Sequence, residues 1–231
     1  MLTNRQVFDE IAPGWYNYRH WSIFGSELEA LAARWWGGSL LNLGCAHGPD
    51  FLPFREGFDL YGLDFSPEML KQARRYAEKF HFSVCLVLGD VGHLPFAEST
   101  FDHAIAVATY HHLENPEGRL LALQELRRVL RPGGEAFITV WNRWQRRFWL
   151  HPKEVVVPWR KGERNLGRYY YLFSSPEFTR LVKQAGLEIL TSAAESGYRG
   201  IGFFSRNICL LVRRPGAVSY THLTLPTNRE V

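Results

Sequence analysis

The stretch Leu40-Leu41-Asn42-Leu43-Gly44-Cys45-Ala46-His47-Gly48 constrains the fold more than any other part of the chain. Its apolar start reads as a buried parallel strand, and its small residues read as a turn where backbone can approach a ligand closely. A second apolar run, Phe58-Asp59-Leu60-Tyr61-Gly62-Leu63, ends in Asp64, twenty positions after Gly44. A glycine-rich first turn followed by an acid closing the second strand is how a Rossmann-like sheet grips an adenosine ribose.

The alternation continues along the chain. Strands are expected near 39–44, 58–63, 82–89, 101–107 and 134–141, with helices near 48–54, 67–80 and 117–130. Ser66-Pro67-Glu68 and Asn115-Pro116-Glu117 open two of those helices, each pairing a cap with proline and an acid in the first turn. Such a pattern implies an α/β fold, a mostly parallel sheet with helices on both faces. Upstream, residues 6–12 read as an amphipathic helix that breaks at Pro13-Gly14, and residues 26–36 as a second helix ended by Gly37-Gly38. Residues 142–173 are basic and aromatic without a clear period. Ser174-Ser175-Pro176-Glu177 then caps a helix to about Ala185, stopped by Gly186, and 187–192 with 202–212 read as a final antiparallel pair.

At 231 residues, 46% hydrophobic and 22% charged, the chain can bury the core of one domain. No apolar run approaches the roughly 18–20 residues of a membrane span. Asp9 and Glu10 near the start do not fit a signal peptide. Cys45, Cys85 and Cys209 lack metal-ligand spacing, and Cys45 and Cys85 are expected as buried thiols. These features imply a cytoplasmic protein with no metal. Net charge is only +4, yet residues 141–170 hold Arg143, Arg146, Arg147, Lys153, Arg160, Lys161, Arg164 and Arg168 against Glu154 and Glu163. That asymmetry points to a polyanionic partner. Residues 217–231 resemble translated sequencing-adapter read-through, the alternative being an ordinary disordered tail; removing them is expected to leave thermal stability unchanged.

A dinucleotide site wants G-x-G-x-x-G, whereas Gly44 to Gly48 is G-x-x-x-G. The loop is closer to the x-x-G-x-G-x-G turn of class I S-adenosylmethionine (SAM) methyltransferases, specifically the type 11 domain. Val87-Leu88-Gly89-Asp90-Val91, Phe101-Asp102-His103-Ala104-Ile105-Ala106-Val107 and Glu125-Leu126-Arg127-Arg128-Val129-Leu130-Arg131-Pro132-Gly133-Gly134 resemble that family's later motifs, in order. The resemblance implies a seven-stranded Rossmann-like domain over 38–215, an N-terminal helical lid over 1–37 and a substrate-cap insert at 142–173 after strand five. It implies SAM as cofactor and S-adenosylhomocysteine as product. Asn42 departs from the family's acid two residues before the first glycine, losing a charge that favours a cationic amino group. Ala46 replaces the middle glycine, placing a methyl group where backbone approaches the ligand or takes positive φ.

On this resemblance Asp64, with Phe65 beside it, faces the ribose; the alternative for Asp64 is a cap for the helix opening at Ser66. Gly44, Cys45, Ala46 and Gly48 shape the loop under the methionine end, or form a plain strand-to-helix turn. Asp90 and Val91 meet the adenine, or Asp90 caps its own loop. Val107 ends the strand beneath the cofactor. In the lid, Tyr16 and Arg19 are the expected contacts, with Arg19 clamping a carboxylate. His111, and less directly His112, face the acceptor or bond to loop backbone.

Thr139-Val140-Trp141-Asn142, the basic run, Val155-Val156-Val157-Pro158-Trp159 and Arg168-Tyr169-Tyr170-Tyr171-Leu172-Phe173 together resemble one family. It is the eukaryotic-type tRNA methyltransferase that esterifies 5-carboxymethyluridine at the wobble position. That resemblance implies substrate contacts from His112, Arg143, Arg146, Arg147 and Trp159, through phosphate binding and base stacking. It also implies a small activator protein as partner, and no DNA or membrane. Two other readings stand beside it: a small-molecule methyl acceptor, and a SAM- or RNA-binding protein without turnover.

Overall fold

In a computed structural model, residues 2–161 and 164–216 are described; the segment 217–231, expected to be read-through or an ordinary tail, lies outside them. Two helices, α1 (Asn4–Tyr18) and α2 (Gly25–Trp35), precede a core of β1 (Gly38–Leu43), β2 (Phe58–Asp64), α3 (Pro67–Phe80), β3 (Cys85–Leu88), β4 (Phe101–Val107), α4 (Pro116–Val129) and β5 (Leu130–Trp141). A two-stranded ribbon, β6 (Glu154–Lys161) and β7 (Arg164–Tyr171), follows, then α5 (Ser175–Gln184), β8 (Glu188–Ala193) and β9 (Asn207–Arg213). The main sheet runs β3-β2-β1-β4-β5-β9-β8, with only β9 antiparallel to its neighbours. The order reverses at β1, which pairs with both β2 and β4, and a ligand crevice is expected at the carboxyl ends of those strands.

Strand alternation splits the core between the two faces. Leu41, Leu43, Ala104 and Ala106 pack with Leu123 and Leu126 of α4 and Phe178 of α5. Leu40, Ile105 and Phe137 pack on the other face with Leu28 and Trp35 of α2. Local chemistry starts the helices as the sequence implies. Ser66 Oγ accepts from Met69 N at 3.1 Å, and Asn115 Oδ1 accepts from Gly118 N at 2.5 Å.

Six expectations need correction. Helix α1 runs through Pro13-Gly14 instead of breaking there, because Val7, Phe8, Ile11 and Ala12 are buried on one face and packing outweighs the lost N–H. The helix expected at 48–54 is a 3₁₀ helix, Pro49–Phe54. Residues 142–173 are not irregular throughout, since they contain the β6–β7 ribbon. Strand three is confined to Cys85–Leu88, and Cys85 is exposed because β3 is a sheet edge. The last strand begins at Asn207, and Gly202–Phe204 is a 3₁₀ turn.

Candidate active site

One cleft sits at the β1 reversal. It is lined by Gly44, Cys45, Ala46, Asp64, Phe65, Asp90, Val91, Val107, His111, His112 and Arg19 among the sequence-expected residues. The loop after β1 is shaped by close packing. Gly44 has φ +67, and a β-carbon there would fall 2.6 Å from Thr109 Oγ1, which itself donates to Leu43 O at 2.7 Å. Ala46 takes φ +47, so the added methyl group sits in the left-handed region foreseen from its place in the loop.

Asp64 braces that loop. One carboxylate oxygen accepts from Ala46 N and the other from Ser66 N, both at 2.9 Å. The cap of α3 is Ser66, which removes the capping alternative for Asp64. Burial lifts the Asp64 carboxyl to about 6, partly countered by those backbone N–H donors. Each oxygen retains a lone pair, and the residue lines the cleft, as a ribose-binding acid must. Asp90 accepts from Gly92 N at 2.7 Å and remains exposed at the mouth beside the buried Val91.

At the β4–β5 end of the cleft, His111 is fully buried. Its Nδ1 accepts from Trp141 N at 3.1 Å, which puts the ring proton on Nε2, a buried atom with no partner. Burial holds its pKa well below the usual histidine value, so the ring is neutral. His112 Nδ1 donates to Tyr169 O at 2.9 Å, and burial lowers its pKa to about 4. Tyr170 stacks on Trp141 at 4.1 Å and receives a hydrogen bond from Arg168 Nη1 at 3.0 Å. Arg168 is itself buried between Trp15, Trp159 and Tyr170. Arg19 lies over Trp15, 5.3 Å from the ring centroid.

Several expected contacts fall elsewhere. Tyr16 does not line the cleft; it packs edge-on against His47 and Tyr76, with Arg75 over its ring, because it turns toward α3. Its neighbour Trp15 lines the cleft instead. Asn42 and Gly48 are buried and do not line the cleft. Arg143, Arg146, Arg147 and Trp159 are also outside it. Arg143 and Arg147 rest on Trp144 and Phe148, while Trp159 packs on Trp15 of α1. Sequence reasoning missed Trp21, Ser22, Ile23 and Asp50 as lining residues. The α1–α2 link carries no motif, whereas Asp50, two residues after Gly48, was a legible signal. Trp141 and Tyr170 lay within quoted motifs but were not assigned to the site.

The cleft fits a SAM molecule on its own features: a carboxylate with free lone pairs, a glycine whose β-carbon has no room, and apolar walls around them. A methyltransferase domain family matches residues 41–138. The tRNA (carboxymethyluridine(34)-5-O)-methyltransferase of Schizosaccharomyces pombe is 30% identical over 220 residues, covering 84% of this chain and 90% of that one. The mouse tRNA (carboxymethyluridine(34)-5-O)-methyltransferase ALKBH8 is 34% identical over 138 residues, 59% of this chain and 19% of that longer protein. Among solved structures, the CcbJ methyltransferase of Streptomyces caelestis superposes with TM-score 0.75 at 19% identity, covering 93% of this chain and all (100%) of that one. A Burkholderia thailandensis 1,6-didemethyltoxoflavin N1-methyltransferase with bound S-adenosylhomocysteine gives 0.63 at 20% identity, covering 91% and 88%. A Haloferax volcanii methyltransferase in complex with the Trm112 activator gives 0.61 at 19%, covering 92% and 97%.

Proposed function

Because the chain belongs to the family of SAM-dependent tRNA (carboxymethyluridine(34)-5-O)-methyltransferases, we propose that it esterifies the carboxylate of 5-carboxymethyluridine at the tRNA wobble position. The observation that carries this reading is the acceptor end of the cleft. It presents a neutral His111 with a free Nε2–H and the cation of Arg19. Such a set suits an acceptor that arrives already ionised, as a carboxylate does at neutral pH. Bound SAM supplies an electrophilic methyl group on its sulfonium.

The chain's own residues then have limited tasks. Asp64 holds the ribose, and its bonds to Ala46 N and Ser66 N fix the loop that frames the cofactor. His111 Nε2–H donates to one carboxylate oxygen and leaves the other free to attack in line. Arg19 steers the anion by charge, and the walls of Trp141 and Tyr170 exclude water. A neutral donor suits this work: a histidinium would bind the carboxylate more tightly and lower its nucleophilicity. Arg143, Arg146 and Arg147, with the aromatic rings beside them, are the proposed RNA contacts. A small activator protein, of the kind bound by the Haloferax neighbour, is the proposed partner.

The test is transfer of labelled methyl from SAM to bulk tRNA lacking wobble esters, with and without a small activator, followed by mild alkali. Label released by base supports the ester. Base-resistant label moves the chemistry to a ring atom or ribose. No incorporation under either condition, with SAM binding intact, overturns the tRNA reading in favour of a metabolite acceptor.

A further inference from the structure

The methionine end of SAM is a zwitterion, so its site needs both an anion and a cation. Asn42, where the charge was expected, is neutral, fully buried and away from the cleft lining. Both of its amide atoms lack a hydrogen-bond partner. Three acids do line the cleft: Asp50, Asp64 and Asp90. Asp64 braces the loop after β1 and the start of α3, and Asp90 the loop after β3.

Asp50 sits apart from both. It lies in the first turn of the 3₁₀ helix Pro49–Phe54, three residues after His47, with its carboxyl close to Ser22 of the α1–α2 link, which also lines the cleft. His47 Nε2 in turn bonds the Arg19 carbonyl. One end of the cleft therefore gathers Asp50, Ser22, His47 and Arg19. Asp50 and Arg19 feel each other's charge, yet no ion pair joins them among the described residues. Pro49 has no N–H, so this short element offers an acid where a longer helix would offer amide donors. We propose that Asp50 receives the methionine ammonium of the cofactor, supplying from the far side of the glycine loop the charge that Asn42 lacks. Burial raises the Asp50 carboxyl to about 6, while Ser22 and Arg19 hold it down. An ammonium placed there would restore ionisation. The inference rests on the SAM assignment and not on the identity of the methyl acceptor.

Calorimetric titration with two ligands separates the possibilities. S-adenosylhomocysteine carries the ammonium, and 5′-methylthioadenosine lacks the whole amino-acid end. Asp50→Asn should weaken S-adenosylhomocysteine about tenfold or more, the scale of a lost charged hydrogen bond, with 5′-methylthioadenosine unchanged. An unaltered S-adenosylhomocysteine affinity, or an equal loss for both ligands, overturns the role of Asp50. Asp50→Glu keeps the charge, and should retain the preference for S-adenosylhomocysteine if Asp50→Asn does not fold. Loss of that preference in a folded Asp50→Glu would count against the proposal. Failure of the unaltered chain to bind either ligand would sink the cofactor assignment itself, a result distinct from a silent Asp50→Asn.

Discussion

Ala46 holds φ +47 in a loop where its N–H is pinned to Asp64. A β-carbon in the left-handed region costs about 1–2 kcal/mol. Ala46→Gly should therefore raise the unfolding free energy by about 0.5–1 kcal/mol, after the entropy cost of glycine, as read by urea denaturation. A decrease would mean the methyl group packs better than it strains. Asp64 has more at stake. Asp64→Ala removes the proposed ribose acceptor and a brace of the loop, and should weaken SAM by about 1.5–3 kcal/mol; an unchanged dissociation constant would place the ribose elsewhere. The pH dependence follows from the raised carboxyls. Ribose hydroxyls and a ligand ammonium favour the ionised acids, so the bound-state pKa lies below the free value of about 6. Affinity is then full above pH 6 and falls as pH drops through it. Asp64→Asn should flatten that slope only in part, because Asp50 titrates in the same range; a slope untouched by Asp64→Asn and Asp50→Asn together would refute the linkage.

Helix α1 behaves as part of the core despite its proline. Val7, Phe8, Ile11 and Ala12 pack with Met69 of α3 and Leu166 of β7, and the Asp9 carboxylate accepts from Ser66 Oγ at 2.6 Å. The helix and the β6–β7 ribbon thus close the cleft together, joined by Trp15 and Trp159 with ring centroids 5.4 Å apart. A β-carbon on Gly14 would meet the Trp159 ring at 3.4 Å, an ordinary contact, so the approach does not depend on glycine there. Ile11 is wholly buried, so Ile11→Ala should lower stability by about 2–4 kcal/mol through the cavity it leaves. Chemical denaturation checks this, and a loss below about 0.5 kcal/mol would show that α1 unfolds independently of the sheet.

Across the whole molecule, positive charge concentrates in the segment between β5 and α5. Arg146 and Arg147 are exposed, and none of Arg143, Arg146 or Arg147 makes an ion pair among the described residues. Reversing all three charges to Glu should abolish detectable tRNA binding at physiological salt while leaving SAM affinity unchanged. Neutralising them to Gln should reduce the slope of log affinity against log salt by roughly 2, the share expected of three phosphate contacts. Unchanged RNA binding in both variants would move the nucleic-acid surface elsewhere.

The order of strands and helices, the capped starts of α3 and α4, and the pairing of the glycine loop with Asp64 were legible in the sequence because each depends on short-range sterics and periodicity. The β6–β7 ribbon was not. Val155, Val156 and Val157 are apolar in succession, so no polar alternation marks the strand, although Val157 is buried and Val156 is 67% exposed. The exposure of Cys85 also escaped local reading, since only the sheet order makes β3 an edge. The same holds for the cleft wall. Trp15 rather than Tyr16 reaches it because helical phase and docking choose the face, and Trp21, Ser22 and Ile23 arrive through a link that carries no motif. The sequence by itself determined the cofactor-binding frame, which is written in neighbouring residues. Only the tertiary structure decided which distant side chains face the ligand, because that depends on how separate elements pack.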